Sequence, residues 1–320
     1  MRLILGLALI LLLSASVART PDSRTTVIFH PILLDRDRPD RRDFDELTLI
    51  GAWRLTSDNP YFGGISSMRV TGGQVLALSD AAYVHEFRTP DEGLETPLNS
   101  RRLPGIYTSP EPDRDSESMT TDPKTGLMWV GFEYSNAIRR YSPDLGAKLA
   151  WVGPLAMRKW PENAGAEAMV RLPDGRFLVF SEEAGGPNGS EQALVFPGDP
   201  IRHGRNSTRF YYRPPGGFCA TDAALLPDGR VLILNRHFSI FDGVAAALTI
   251  VDPRDIVAGK IVRSKLLAVL KPPLNIDNIE ALSVEQVDGQ TIVWMASDDN
   301  FNPLQQNLLL KFVLKEAPKR

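Results

Sequence analysis

The chain has 320 residues, 43% of them hydrophobic and 23% charged, which are ordinary globular values. That length exceeds a small sandwich domain and is enough to bury a large core. A net charge of −3 argues against a nucleic-acid partner, which wants a basic face, and the single cysteine, Cys219, excludes an internal disulfide.

Residues 1–18 place Arg2 before a leucine-rich apolar run and end in Ser16-Val17-Ala18, with small residues at both key positions. This reads as a cleaved secretory signal peptide; the alternative is an uncleaved anchor, for which the apolar run is short. The mature chain is therefore expected in a periplasm or outside the cell, with no stable membrane span after cleavage. No cysteine follows the segment, which excludes a lipoprotein anchor. Residues 19–45 read as a solvated polar leader, in which Asp35 to Asp43 alternates in charge, although Thr25 to Phe29 could pair as an edge strand. Residues 46–320 form the main domain. Leu47 to Leu55 is its first convincing strand and Leu308 to Leu314 its last, and the two are expected to pair in one sheet.

Between them a unit recurs. Glu167 to Glu182 reads as an acid, a short apolar strand, a Pro-Asp-Gly turn, a second strand and another acid. Asp-Gly between apolar runs is a strong hairpin signal. Similar units run from Ser66 to Asp80, Glu117 to Glu133, Asp222 to Arg236 and Glu280 to Asp298. Met68, Met119, Met169, Ala223 and Leu282 hold equivalent places, roughly 50–60 residues apart. Repeats of short strands near that period are the pattern of propeller blades. Each unit carries two further strand-like runs, such as Ala193 to Phe196 and Arg209 to Tyr212. No long stretch of 3.6-residue period appears, so little helix is expected. The expected fold is an all-β propeller of five or six four-stranded blades with an N-terminal strand closing the ring. Five units are counted directly; a sixth, from the N-terminal residues or a degenerate stretch, stays open.

In an antiparallel hairpin the start of one strand lies beside the end of the next. Midpoints at the turns place Glu117 opposite Glu133, Glu167 near Glu182, Asp222 near Arg236 and Glu280 near Asp298. If these are inner strands, the residues gather at one mouth of the central channel. A ring of like charges in a partly desolvated cleft needs an offsetting charge. Carboxylate oxygens suit a hard divalent cation, Ca²⁺ before others. Each acid has an alternative role in capping a neighbouring loop. Glu117, Glu167, Glu280 and Asp298 are the candidate metal ligands. Glu133 and Glu182 could orient or deprotonate water, and Arg236 could clamp an anionic substrate. His237, beside Arg236, is the one histidine considered for catalysis; a hydrogen-bonded loop role stands against it. Asp80, Asp222, Asn278, Asp299 and Asn300 complete the mouth as candidate ligand-binding residues. The acidic loop from Ser109 to Ser116 reads either as a ligand source or as an exposed turn.

The ordered set GGISSM…LALSD, SESM…WVGFE, AEAMVRLPDGRFLVFSEE, TDAALLPDGRVLILNRHF and NIEALS…SDDNF resembles the phytase-like family, or "esterase-like activity of phytase", from about Ile50 to Leu314. The resemblance implies a β-propeller, export, and hydrolysis of an ester or phosphate ester. Ser66 and Ser67 stand where the other units begin with an acid, which leaves a gap in the ring. There is no Gly-x-Ser-x-Gly elbow, no His-Glu-x-x-His and no paired-cysteine zinc spacing. A metal-assisted hydrolase of a small ester or phosphate ester is thus the leading expectation. A non-catalytic ligand- or protein-binding propeller and a lactonase-like hydrolase are the alternatives. Oligomeric state is not legible.

Overall fold

The computed structural model describes residues 25–105, 115–239 and 243–315. The expected signal peptide and the loop residues 109–114 lie outside the described residues.

Four of the sheets are four-stranded meanders. Their first strands are Ile65–Thr71, Ser116–Thr121, Ala168–Arg171 and Cys219–Leu225. Each turns sharply and returns as Gln74–Ser79, Met128–Phe132, Phe177–Gly185 or Val231–Ser239. The Pro-Asp-Gly turns work as their chemistry requires. Asp174 Oδ1 accepts from Arg176 N, and Gly175 takes the positive φ that a side chain resists. Asp228 and Gly229 repeat the arrangement.

A fifth, seven-stranded sheet begins with Ile279–Val287, Gln290–Ser297 and Leu308–Leu314. Leu308–Leu314 then pairs antiparallel with Leu47–Ser57, joining Leu314 to Leu47 and Leu308 to Arg54. The two ends of the chain thus meet in one sheet, as expected. The five inner strands stand side by side about one axis, and Ile279–Val287 returns to Ile65–Thr71. This is an all-β, β-propeller arrangement. α-Helix among the described residues is confined to Pro200–His203, and none there is long and apolar enough to cross a membrane.

Neighbouring sheets pack face to face. Phe180, Phe210 and Tyr212 of one sheet meet Val231 and Ile233 of the next. Leu232 and Leu248 in turn meet Leu282, Met295 and Phe312 of the large sheet. Each such side chain contributes on the order of 2 kcal/mol when fully buried.

The stretch expected to be a solvated leader departs from that expectation after residue 24. Thr26–Pro31 is a strand held between Leu47–Ser57 and Glu95–Pro97, so it is flanked on both sides. Val27 and Phe29 alternate inward and are buried, which the charged residues beyond them obscure. The alternating charges fold back locally, with Asp35 buried and paired to Arg38 at 3.2 Å and Arg41 at 3.1 Å.

Candidate functional site

Four of the five inner hairpins break register at the same place. Ile65 pairs with Ser79 but Ser67 with Leu78, leaving Ser66 as an extra residue. The same bulge isolates Glu117 between Ser116 and Ser118, Thr221 between Ala220 and Asp222, and Glu280 between Ile279 and Ala281. In the remaining hairpin the ladder begins at Ala168, just past Glu167. A bulge re-aims the side chain of its extra residue. All five residues, Ser66, Glu117, Glu167, Thr221 and Glu280, line one cavity of about 230 Å³ at the mouth of the channel.

The returning strands and their loops add Asp80, Asp115, Glu133, Glu182, Arg236, Asp298 and Asn300 to the wall. Among the described residues, eight carboxylates therefore face one guanidinium. Arg236 Nη2 pairs with Glu182 Oε1 at 2.6 Å, its Nε lies 3.3 Å from Glu280 Oε1, and its Nη1 donates to Asn278 Oδ1 at 3.3 Å. Asn278 in turn donates to Glu280 Oε1 at 2.8 Å. On the opposite wall one oxygen each of Asp115, Glu117 and Glu133 lie within 4.8 Å of one another. Glu167 Oε1 and Thr221 Oγ1 are buried and have no partner among the described residues.

One arginine does not neutralise this wall. Burial, followed by the nearby charges of Glu167 and Asp115, holds Glu117 well above the usual carboxylate range. Burial, then Glu182 and Glu133, does the same to Glu167. Burial and then Asp115 push Glu133 up to about 9, and burial and then Glu280 push Asp298 up to about 9. Burial raises Asp80 to about 6 and also raises Glu280, which Arg236 partly offsets. Burial works against the charge of Arg236, yet Glu280 and Glu182 hold it above its ordinary value. Without a further positive charge, the wall must keep protons to relieve its own repulsion.

A sequence-family model described as Phytase-like, "Esterase-like activity of phytase", matches residues 60–301. The chain belongs to this family. No curated protein sequence matches this phytase-like chain. Among solved structures, the hydrazine synthase of Kuenenia stuttgartiensis is 13% identical, with a TM-score of 0.38, over 76% of this chain and 58% of that one. The phytase-like chain thus spans little more than half of the hydrazine synthase chain. A nidogen/laminin complex structure is 9% identical, with a TM-score of 0.43, over 87% and 91% of the two chains.

Most of the residues singled out in this phytase-like sequence do converge. Asp80, Glu117, Glu133, Glu167, Glu182, Arg236, Glu280, Asp298 and Asn300 share the cavity, and Asn278 supports it from behind through Arg236 and Glu280. Three do not belong to it. Asp222 is one residue past the bulge, so Cys219 rather than Asp222 sits opposite Arg236. Its carboxylate is locked below the mouth by Leu282 N and Ala223 N, both at 2.8 Å, and by Ser67 Oγ at 3.2 Å. Asp299 caps its own loop and the next sheet, accepting from Phe301 N, Gly64 N and Asn307 Nδ2. His237 lies outside the cavity wall, bonded to Gly217 O and packed on Phe218. It sits within the strand Val231–Ser239, opposite Ala245, so it is a strand histidine whose ring is held by a loop carbonyl rather than a loop histidine.

Three wall residues were not singled out as candidates: Ser66, which reads from the sequence as a gap in the ring, Thr221 and Asp115. Aligning the repeats on Met68, Met119, Met169, Ala223 and Leu282 puts Thr221, not Asp222, in the column of Glu117, Glu167 and Glu280. That alignment was the available signal; the acid next to Thr221 obscured it. Asp115 ends the acidic loop and joins the triad through Glu133, whose N donates to Asp115 O. Of that loop only Asp115 and Ser116 are described, and Asp115 is the one that lines the cavity.

Proposed function

We propose that this phytase-like protein is an exported, metal-assisted hydrolase of an ester or phosphate ester, working at the acidic mouth of a propeller whose seven-stranded sheet serves as its fifth blade. The observation that carries this reading is that, among the described residues, eight carboxylates and one arginine line the wall of a single cavity. The residues fit a hard cation. Asp115, Glu117 and Glu133 would hold it, and the unpartnered, buried Glu167 Oε1 offers a further oxygen. The donor set is all oxygen, which favours Ca²⁺ over softer ions. When bound, the cation supplies Lewis acidity and offsets the repulsion of the wall.

The chain's own residues have distinct tasks. Arg236 holds Glu182 at 2.6 Å and so orients this carboxylate to take a proton from water. The same arginine is the one positive side chain among the described residues of the wall and positions an anionic substrate oxygen there. Ser66 does not act as a nucleophile, because its hydroxyl donates to Ser116 O at 2.6 Å. Among the described residues of this wall there is no free serine and no histidine, which favours, as second reading, a propeller that binds a ligand without turning it over.

Elemental analysis of protein dialysed against Ca²⁺ should find bound calcium. Turnover should then be sought with nitrophenyl acetate, nitrophenyl phosphate, phytate and a simple lactone. Activity on one of these that disappears with chelator and returns with Ca²⁺ supports the proposal. Undiminished turnover in chelator refutes the metal role, lactone-only turnover moves the substrate to the cyclic esters, and binding without turnover selects the second reading. Sequencing the N-terminus of secreted protein tests export, with cleavage expected after Ala18.

A further inference from the structure

The channel has a second opening at the turn end of the inner hairpins. There the later residues of the inner strands enclose a cavity of about 530 Å³ that no acidic-mouth residue lines. Asp222 and its bonds to Ser67 and Leu282 stand between the two openings. The floor of the second cavity is apolar, formed by Met68, Met119, Ala223 and Leu282, the residues at one position of four of the five units. Its rim carries two arginines. Arg171 is countered by Asp122, 3.6 Å away. Arg69 has no hydrogen-bond or ion-pair partner among the described residues, although it is half-buried.

We propose that this opening is a binding site for a small organic anion with an apolar body, such as an aryl or alkyl carboxylate. A mostly apolar concavity of several hundred Å³ with few convergent polar groups is the usual form of a small-molecule pocket. The apolar body lies on the methionine and leucine floor. The carboxylate meets the guanidinium of Arg69, whose planar donors match it with two parallel bonds. Partial burial makes this pairing stronger than at a fully wet surface, because the lone guanidinium has already lost part of its hydration. The opposite mouth cannot take the same ligand unaided, since it is ringed by carboxylates. The chain thus presents an acidic, cation-seeking end and an apolar, anion-seeking end on one axis. This second site does not depend on the hydrolase reading.

The test is titration calorimetry of the full mature chain with 3-phenylpropionate, alongside 3-phenylpropanol and acetate. The carboxylate should bind at least about tenfold more tightly than the alcohol, and acetate, lacking the apolar body, should bind worse still. Arg69→Gln should erase the preference over the alcohol while leaving alcohol binding within about twofold. Glu117→Gln and added chelator should change nothing, because they act at the other mouth. Equal affinity of the wild type for acid and alcohol would overturn the proposal and needs no variant to fold. Loss of binding in Glu117→Gln or in chelator would also overturn it, by placing the ligand at the acidic mouth.

Discussion

Removing cations from this protein should make it lose stability as the pH rises through neutrality. The reason is the direction of the carboxyl shifts. Asp298 and Glu133 titrate near 9 in the folded chain, against ordinary values of 3.8 and 4.5. Between those limits the folded state keeps protons that the unfolded chain releases. Each retained proton lowers stability by about 1.4 kcal/mol per pH unit as pH rises. Mutual repulsion among eight carboxylates and screening at the open side argue for counting a single net proton rather than one for every shifted group. Over pH 6.5 to 8 that gives a loss of about 2 kcal/mol, or roughly 4–8 °C in Tm. Carboxylates held low, such as Asp122 and Asp228, finish titrating below this window. The opposite effect of His85, which burial holds near 4, fades above about pH 6.5, the ordinary histidine value.

Calcium should reverse the trend. A site filled to about one hundred times its Kd gains roughly 2.7 kcal/mol. That affinity itself rises with pH, because the carboxylates must shed protons to bind. Thermal melts at pH 6.5, 7.25 and 8, each in chelator and in millimolar Ca²⁺, measure both effects. The chelated protein should melt lower at each step, and the gap between the two series should widen. A flat or rising series in chelator, or a gap that does not grow, would refute the claim that burial and crowding leave this wall short of positive charge.

Three substitutions probe separate parts of the argument. Glu117→Gln should weaken Ca²⁺ binding by at least about tenfold in calorimetry while leaving the circular dichroism spectrum unchanged, since it removes one oxygen charge from the triad. Asp222→Ala should cost about 3 kcal/mol or more in urea unfolding, because it strands the amides of Leu282 and Ala223 in a site only 1% exposed; Asp222→Asn, which keeps an acceptor, should cost less, and a loss below about 1 kcal/mol for the alanine variant would contradict the locking role. His237→Ala should leave both Ca²⁺ binding and any turnover within about twofold, whereas a loss beyond tenfold would restore the histidine to the site.

The fold was legible because its signals are local and repeated. Asp-Gly turns, alternating apolar runs and a recurring period each specify a hairpin without reference to anything distant. The strand Thr26–Pro31 was legible only as an edge strand inside a polar leader, because only Val27 and Phe29 are buried in it and a charged run follows soon after; its pairing on both sides was not legible. The site was legible as a set but not in register. Reflecting each hairpin about its turn assumes one residue opposite one residue along the whole ladder. The bulges at Ser66, Glu117, Thr221 and Glu280 break that assumption at the end where the chemistry lies. For Glu117 and Glu280 the error is harmless, since the acid is itself the extra residue and is turned into the cavity. For Asp222 it is decisive, since the extra residue is its neighbour Thr221 and the acid is carried one place further, into the channel wall. A bulge has no composition of its own at these positions: serine, glutamate, threonine and glutamate all fill it. What they share is their place two residues before Met68, Met119, Ala223 and Leu282, the residues that floor the opposite opening. The same apolar position that anchors each inner strand therefore fixes which side chain reaches the acidic mouth. Register set from that anchor, rather than from the turn, places all five.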